Sequence, residues 1–474
     1  MALIEAKTKY GIVRGVRGNN RGFTVFRGIP YAKPPVGELR FAPPQELDPW
    51  DGVKLCSEFG NMSVQMREVY GHYRREFFPE PKEMGEDCLT LHMWTPAEEP
   101  GEHLPVFLWI HGGGYSWGYS YEQEFDGEAM CKRGCILVSI GYRCNAFGFL
   151  AHPELTKRNG RSGNMGMEDQ VLALRWVYEN IAAFGGDPEN ITVHGQSAGA
   201  MSTRTLLTSP RCQGMIRHVI LQSGGGINDW SEFRTMEEQE QIGVELLARA
   251  GLSFEQTMLA PAEELYKLLY STMSIVMEQR GGGLGFHPCL DGYNLIEAPS
   301  KSILEGRINC DAIMCGTVEG DSGLIHFTAE NDEEARLKNR ASAFSSQNAL
   351  GDWNARHGSA TIYTYFFDHS LPGDELGSWH SCELWYMFGT MARCWRPWTG
   401  YDYVLSDAMV DYWCNFARSG NPNGDTVPAW TAYTSETPET MCFSDGSFGM
   451  KNLNLEPYAE EYRPYFQKSG RAFF

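Results

Sequence analysis

The segment at residues 184–199 reads FGGDPENITVHGQSAG and contains the pentapeptide GQSAG at 195–199. The pentapeptide follows a strand-like run at 191–193 and precedes a helix-like run at 200–207. A strand that turns sharply into a helix around a serine exposes the hydroxyl above the sheet edge, and the flanking glycines let the two elements pass closely. The segment therefore predicts a nucleophile elbow with Ser197 as the nucleophile of a hydrolase.

Composition and charge narrow the class of protein. The 474 residues are 42% hydrophobic, which is enough for a large core, and the net charge of −20 argues against nucleic acid or an anionic membrane as partners. The first residues lack the basic and apolar regions of a signal peptide, and no apolar run reaches the length of about 18 residues that a membrane span needs. The 13 cysteines include no C-x-x-C pair. We expect a cytoplasmic protein with reduced cysteines.

Strand-like and helix-like segments alternate along the chain, which favours an α/β fold with a mostly parallel central sheet flanked by helices. Short apolar runs predict strands at 106–110, 136–140, 191–193, 219–222, 312–315 and 361–367. Helical periodicity predicts helices at 167–184 and 406–419, and a helical insertion near the active-site mouth at about 236–283. No interdomain linker is evident, so we predict a single catalytic domain over residues 1–474.

A glycine run follows the first of these strands. The strand at 106–110 continues into HGGGY at 111–115, and three glycines leave backbone N–H groups free to point into a pocket. With the N–H of Ala198 they would form an oxyanion hole. A phosphate-binding loop is the alternative, but the Lys-Ser/Thr sequel of such a loop is missing. We interpret His111, inside the run, as a supporting residue and not a catalytic one.

A serine nucleophile needs a histidine base and an acid, and the α/β-hydrolase fold has them in the order Ser, acid, His. The histidines after Ser197 are His218, His287, His326, His357, His369 and His380. His380 is favoured because it lies in a late, glycine-bearing loop. The acid should end the strand at 312–315, where spacing alone leaves Glu319 and Asp321 open.

These residues resemble the type-B carboxylesterase/lipase family, and the resemblance runs from about residue 11 to 430. The elbow satisfies the nucleophile signature of the family at every position. Further blocks that resemble the family are FRGIPYAKPPVGELRF at 26–41, GEDCLTLHMWTP at 85–96, GFL at 148–150, GNMGMEDQVLALRWVYENIAAFGGDP at 163–188, LQSG at 221–224, FHPCLDG at 286–292 and YWCNFARSGNPNG at 412–424. The resemblance implies the α/β-hydrolase fold, with helical insertions near the active-site mouth.

The resemblance also implies roles for individual residues. Ser197 matches the nucleophile and His380 the base of an H-x-x-E-L pattern. The acid of the family lies five residues after the glycine that ends its strand, which favours Asp321 over Glu319. Gly113, Gly114 and Ala198 match the oxyanion donors, and Ser223 matches a supporting buried serine.

The chain departs from the family pattern at four positions. The acid is usually Glu, so Asp321 is shorter by one methylene. Gln196 stands where the residue before the nucleophile is usually Glu, which removes one source of preference for cationic alcohols. Ser63 stands where secreted members have a cysteine that pairs with the equivalent of Cys88, which is consistent with a reduced protein. His92 replaces the usual Asn or Asp, without an evident functional reason.

We predict a serine carboxylic-ester hydrolase that forms an acyl-enzyme with small neutral esters that are hydrophobic or aromatic. Gln196 and the aromatic residues Tyr115, Trp117 and Tyr119 are candidates for the substrate pocket. The same triad acting on a lactone, thioester or amide is the alternative, and a non-catalytic binding module of this fold is a further one. Neither an H-E-x-x-H motif nor a cysteine–histidine cluster is present, so we expect no metal or other cofactor. Oligomeric state stays open.

Overall fold

The computed structural model describes most of residues 1–453. The residues outside its description are 20, 67–70, 79–81, 225, 227–232, 281–282, 309, 323–330, 332–333, 335–346, 348–349, 352–353, 355–357, 359, 435 and 454–474. Two of the six candidate histidines, His326 and His357, lie outside the described residues.

The strands are numbered in chain order. They are β1 Glu5–Lys7, β2 Ile12–Arg14, β3 Val16–Arg17, β4 Thr24–Pro30, β5 Val53–Leu55, β6 Thr90–Thr95, β7 Leu104–Ile110, β8 Ile136–Ile140, β9 Gly186–Gln196, β10 His218–Gln222, β11 Ala312–Val318, β12 Thr361–Phe367, β13 Thr440–Ser444 and β14 Ser447–Lys451. Each strand that the sequence predicted is found, and β9 and β11 are longer than their apolar runs.

Eleven of the described strands form one sheet, in the order β14-β13-β12-β11-β10-β9-β7-β8-β6-β4-β3. The strands from β13 to β8 in this order pair in parallel, while β14, β6, β4 and β3 pair antiparallel at the two ends. β1, β2 and β5 form a separate small sheet. The predicted mostly parallel sheet is therefore present, and the carboxyl ends of its central strands meet at one edge.

The helices lie on both faces of this sheet. They are α1 His72–Glu76, α2 Glu128–Cys131, α3 Asn145–Phe149, α4 Pro153–Asn159, α5 Met165–Asn180, α6 Ala198–Thr208, α7 Met236–Arg249, α8 Phe254–Leu259, α9 Ala262–Gln279, α10 Pro299–Leu304, α11 Leu384–Met387 and α12 Gly400–Ser419. The helix predicted at 167–184 is α5 followed by a 3-10 turn, Ile181–Phe184.

Each face of the sheet carries its own hydrophobic core. Along β7, Val106, Leu108 and Ile110 belong to one core, while Phe107 and Trp109 belong to the other. Side chains of a strand alternate between faces, and all five of these residues are fully buried. A continuous apolar run is therefore the signature of a strand covered on both sides, as the sequence predicted.

The segment predicted as a helical insertion at about 236–283 contains α7, α8 and α9. A capping box between Thr235 and Glu238 begins α7, which buries Leu246. Leu284, shortly after α9, lies 3.8 Å from where a Cβ on Gly114 would stand. The insertion thus ends beside the glycine run that follows β7. Within the described residues, no helix is long and apolar enough to cross a bilayer.

His92, which had no functional reason in the sequence, has a structural one. Its Nδ1 accepts the backbone N–H of Gly28 at 2.9 Å, between Phe26 and Ile29 where the pairing of β4 with β6 shifts register. Burial lowers the pKa of His92 to about 3, so the ring is neutral and can accept. His92 therefore accepts from the Gly28 N–H, which the irregular pairing of β4 with β6 leaves without a partner on the neighbouring strand.

The Ser63 position also has a clear local role. Its hydroxyl interacts with the Cys88 thiol and accepts the backbone N–H of Cys144 at 3.1 Å. Cys88 is a free thiol, and burial raises its pKa well above the usual value. Ser63 thus lies beside the Cys88 thiol and satisfies a backbone donor of the segment after β8.

A buried ion pair joins α5 to the segment after β8. Asp169 accepts Nε and Nη2 of Arg143 at 2.8 and 2.7 Å, and it accepts the Arg143 backbone N–H at 3.0 Å. The two side chains are 0% and 3% exposed. Removing one partner of such a pair leaves a buried charge without its counterion.

We predict that Asp169→Ala lowers the free energy of unfolding by about 3–5 kcal/mol, because the Arg143 charge would stay buried without its partner. Asp311→Ala is the matched control, since the pair of Asp311 with Arg217 is 66% and 51% exposed. Such exposed pairs contribute about 0–1 kcal/mol. Chemical denaturation of both variants measures the difference, and equal losses would contradict the prediction.

Candidate active site

Ser197 forms the turn between β9 and α6. Its backbone adopts φ 57° and ψ −128°, a conformation that costs a non-glycine residue about 1–3 kcal/mol. Packing enforces it, because a Cβ on Gly199 would overlap the carbonyl oxygen of Ile110 and a Cβ on Gly195 would overlap the backbone of Gly199. The Ser197 N–H donates to the carbonyl of Gln222 on the neighbouring strand β10 at 2.8 Å. The turn is thus built as the GQSAG pattern predicted.

Asp321 and His380 lie together beside this turn. Asp321 follows β11 in a short 3-10 turn, and its Oδ1 lies 2.5 Å from Nδ1 of His380. The Asp321 side chain is 1% exposed, while that of His380 is 32% exposed. Spacing alone left Glu319 as an equal candidate for the acid, and it is Asp321 that hydrogen-bonds to the imidazole.

The charges of this pair reinforce each other. Burial opposes the charged forms, but the carboxylate of Asp321 raises the pKa of His380 above its usual value. Burial likewise opposes ionisation of Asp321, but His380, Thr317 and Ser223 lower the pKa of Asp321 below its usual value. The Val318 N–H donates to Asp321 Oδ2 at 3.1 Å and helps to hold the carboxylate in place. The acid therefore stays ionised wherever His380 titrates.

The far edge of the imidazole points toward the elbow. Nε2 of His380 lies 3.2 Å from the side-chain amide nitrogen of Gln196, the residue before Ser197. Because an ionised carboxylate only accepts hydrogen bonds, Nδ1 carries the proton and Nε2 is left with a lone pair. The structure therefore brings Asp321, His380 and the elbow together, with Nε2 of His380 next to Gln196, the residue before Ser197.

The other described histidine candidates are engaged elsewhere. His287 lies 3.0 Å from Nη1 of Arg234, and His369 lies between Asp402 and Asp445 at 2.8 and 2.6 Å. Burial lowers the pKa of His218, beside α12, to about 4. Each of these rings has a local packing or hydrogen-bonding role.

The glycine run lies against the elbow. A Cβ on Gly112 would stand 3.1 Å from the Ser197 Cβ. Gly113 and Gly114 have φ of 96° and 59°, and among the described residues no acceptor pairs with their N–H groups or with that of Ala198, the first residue of α6. His111 is buried, stacks on Tyr142 at 4.4 Å and contacts the Gly112 carbonyl. It supports the loop, as the sequence indicated.

The three aromatic residues after the glycine run differ in exposure. Tyr115 is 0% exposed and packs against Phe149, and Tyr119 is 4% exposed. Trp117 is half-buried and contacts Phe78 at 5.4 Å and Tyr73 at 6.1 Å between ring centroids. Of the three, Trp117 thus offers the most surface to a bound molecule.

Sequence reasoning missed a buried polar group behind the pair. The side-chain amide of Gln222 donates to Glu383 Oε1 at 3.0 Å, and its oxygen accepts from Trp413 Nε1 at 3.3 Å and contacts His194. Burial and the nearby Asp321 raise the pKa of Glu383 to about 7. The H-x-x-E-L pattern contained Glu383, so a signal for this residue existed.

Tyr73 was missed as well. Its hydroxyl donates to the backbone carbonyl of His380 at 3.0 Å, across 307 positions of sequence. It lies in α1, a helix of five residues, which is too short for hydrophobic periodicity in the sequence to predict.

Comparison with known proteins identifies the family. A sequence profile of the carboxylesterase family matches residues 3–355 and 341–460. The para-nitrobenzyl esterase of Bacillus subtilis (strain 168) is 30% identical over 502 aligned residues, which cover 98% of each chain. A cholinesterase of Mus musculus is 29% identical over 526 residues, covering 97% of this chain and 86% of its own.

Solved structures agree with these sequence matches. A PNB esterase structure aligns with a TM-score of 0.81 at 29% identity, covering 96% of this chain and 98% of its own. A carboxylesterase of Geobacillus stearothermophilus aligns with a TM-score of 0.78 at 31% identity, covering 96% of this chain and 100% of its own. The predicted α/β-hydrolase fold and the resemblance drawn from the sequence are both confirmed, and the chain belongs to the carboxylesterase family.

Proposed function

We propose that this carboxylesterase hydrolyses small neutral esters through an acyl-enzyme on Ser197, with His380 as base and Asp321 as acid. The observation that carries the proposal is the position of His380, which is bonded to Asp321 through Nδ1 while Nε2 faces the elbow. A serine hydroxyl is a poor nucleophile unless such a base takes its proton.

In the proposed first step, His380 takes the proton of Ser197 as the oxygen attacks the ester carbonyl. The N–H groups of Gly113, Gly114 and Ala198 then donate to the developing oxyanion. His380 next gives the proton to the leaving alcohol, and the acyl group stays on Ser197. Water repeats the sequence on the acyl-enzyme and releases the acid.

Asp321 fixes the base in this scheme. Its carboxylate selects the tautomer with hydrogen on Nδ1 and stabilises the imidazolium that forms during each attack. The raised pKa of His380 is the ground-state sign of that stabilisation. The base works only when neutral, so activity should rise with pH through a midpoint above the ordinary histidine value of about 6.5.

The neighbours of the site favour an uncharged substrate with an apolar group. Trp117, Tyr73, Phe78 and Trp379 contribute aromatic rings near His380 and the glycine run, with centroids of neighbouring rings 5.4–6.1 Å apart. Gln196 places a neutral amide beside the base, where a carboxylate would attract a cationic alcohol. Hydrophobic or aromatic esters are therefore the proposed substrate class.

We predict that Ser197→Ala lowers kcat for a short-chain p-nitrophenyl ester by about 10⁶-fold, because no other group supplies the nucleophile. Ser202→Ala, a buried serine one turn further along α6, is the matched control and should keep wild-type activity. Measuring p-nitrophenol release tests both variants. Full activity of Ser197→Ala would refute the proposed nucleophile, and parallel assays with a lactone, a thioester and an amide would reveal a different preferred bond.

We predict that Asp321→Asn lowers kcat by about 10⁴-fold, since an amide does not select the reactive tautomer. The same change removes the charge that raises the pKa of His380, so the midpoint of the acid limb should move to lower pH. Glu319→Gln is the control and should leave both quantities near wild type. A pH profile of kcat/KM tests this, and inactivation by the Glu319 change alone would make Glu319 the acid.

We predict that Gln196→Glu moves the acid limb of the pH profile of kcat/KM about one unit to higher pH. A carboxylate near Nε2 favours the imidazolium and so raises the pKa of His380. The kcat/KM for a choline ester relative to its uncharged dimethylbutyl analogue should rise about threefold or more. Gln213→Glu, an exposed position after α6, adds the same charge remote from the site. If both variants behave alike, net charge and not the position of Gln196 would be responsible.

A further inference from the structure

We infer that Tyr73 is a positioning residue for the base, which acts through the backbone of His380 and is itself held by a buried ion pair between Glu76 and Arg396. The inference rests on the proposed function of His380. Among the described residues, Tyr73 makes its hydrogen bond to the backbone of His380 and none to the imidazole, so its role is to fix where the base stands.

The contact of Tyr73 falls at a strained point of the base loop. Its hydroxyl donates to the His380 carbonyl at 3.0 Å, and the next residue, Ser381, has φ 78°. This left-handed conformation is unfavourable for serine and needs support from its surroundings. A hydrogen bond to the carbonyl that precedes Ser381 supplies such support.

The turn that carries Asp321 also holds the loop that carries His380. The Gly320 N–H donates to the Ser378 carbonyl at 2.8 Å, and a Cβ on Gly320 would overlap that oxygen. Asp321 then fixes Nδ1 of the ring. Tyr73 therefore adds a further restraint on the His380 carbonyl, two residues after the carbonyl that the acid turn holds.

The ring of Tyr73 links the two halves of the site. It lies edge-on to Trp379, beside the base, at 5.5 Å and to Trp117, beside the glycine run, at 6.1 Å. A shift of α1 would consequently move the base loop relative to the proposed oxyanion donors. Misplacement of reacting groups by about 1 Å can cost a factor of about 10² in rate.

The hydroxyl of Tyr73 stays a donor throughout the working pH range. Burial, together with the charge of Asp321, raises the pKa of Tyr73 well above its usual value. The restraint is therefore neutral and does not titrate along with the base.

Five residues of helix cannot hold this position by themselves, because isolated helices of that length are unstable. Glu76, the last residue of α1, accepts Nη2 and Nε of Arg396 at 2.9 and 3.1 Å and Trp395 Nε1 at 2.8 Å. Both charged side chains are fully buried. Asp374 completes the group by accepting Arg396 at 2.9 Å and Arg75 at 2.7 Å.

Two residues of α1 thus have different roles. Glu76 ties the end of the helix to the segment at 374–396, and Tyr73, one turn earlier, reaches the carbonyl of His380. Loosening the ion pair should thus slow the chemical step by the same route as removing the Tyr73 hydroxyl.

The test begins with Tyr73→Phe, which removes only the hydroxyl. We expect kcat for p-nitrophenyl acetate to fall about three- to tenfold, the value of one neutral hydrogen bond, with KM within about twofold of wild type. Tyr412→Phe is the matched control, because its hydroxyl donates to the Pro428 carbonyl at 2.7 Å and not to the loop that carries the base. Unchanged kcat in Tyr73→Phe, or an equal loss in Tyr412→Phe, would overturn the inference.

A double-mutant cycle tests the ion pair. Glu76→Gln should lower kcat about as much as Tyr73→Phe, and the double variant should lose less than about twofold more than either, since both act through one contact. If the fold losses in kcat of the two single variants multiply in the double variant, Glu76 and Tyr73 do not act through the same contact. Should Glu76→Gln fail to fold, Trp395→Phe takes its place in the cycle, because it removes one hydrogen bond of Glu76 and no charge.

A second readout needs no substrate. Diethyl pyrocarbonate acylates the neutral Nε2 of histidine, and its rate at His380, followed by mass spectrometry, should rise at least about twofold in Tyr73→Phe as the ring gains freedom. The rate should stay at the wild-type value in Tyr412→Phe. Absence of ester hydrolysis in the wild type would refute the proposed function alone, whereas equal modification rates in all three proteins would refute the role of Tyr73.

Discussion

The turn at Ser197 is the constraint on which the rest of the site depends. One residue in a left-handed conformation must connect β9 to α6 without space for a Cβ at Gly199, which lies against the carbonyl of Ile110. No local preference favours this conformation, so the neighbouring strands have to enforce it. One such restraint is the hydrogen bond from the Ser197 N–H to the Gln222 carbonyl, which fixes the turn to β10. The hydroxyl is therefore placed by the whole sheet.

The same strand connects the elbow to the base. The backbone of Gln222 holds Ser197, while its side chain reaches Glu383, three residues after His380. Glu383 is fully buried near Asp321, and two adjacent carboxylates cannot both ionise cheaply. With its pKa near 7, Glu383 is largely protonated below neutral pH and leaves Asp321 as the dominant charge facing the imidazole. Since both carboxyl groups are buried, the hydrogen bonds that Asp321 accepts from His380 and from the Val318 N–H decide which of the two acts on the base.

Much of the fold and of the site could be predicted, because the signals are local. Buried strands are continuous apolar runs, and the GQSAG pattern specifies the backbone of a turn. Resemblance to the family favoured Asp321 over Glu319, where spacing alone left both open. Tyr73 could not be foreseen, since its partner lies 307 positions away and α1 has no periodic signal. Nor could the burial of Tyr115, because a glycine run specifies backbone N–H groups and says nothing about where the next side chain packs.

Among the described residues, His380 makes three hydrogen-bond contacts that differ in charge, and this difference separates the position of the base from its affinity for the proton. Asp321 on Nδ1 is ionised, whereas Gln196 near Nε2 and Tyr73 on the carbonyl are neutral. Neutral groups can restrain position without changing the charge balance, so the proton affinity of the ring follows the nearby carboxyl groups, chiefly Asp321 and to a lesser extent Glu383. A carboxylate at 196 would hold the proton on Nε2, the nitrogen that must return it to the leaving alcohol. The neutral amide of Gln196 therefore leaves the proton on Nε2 less strongly held than a glutamate at this position would.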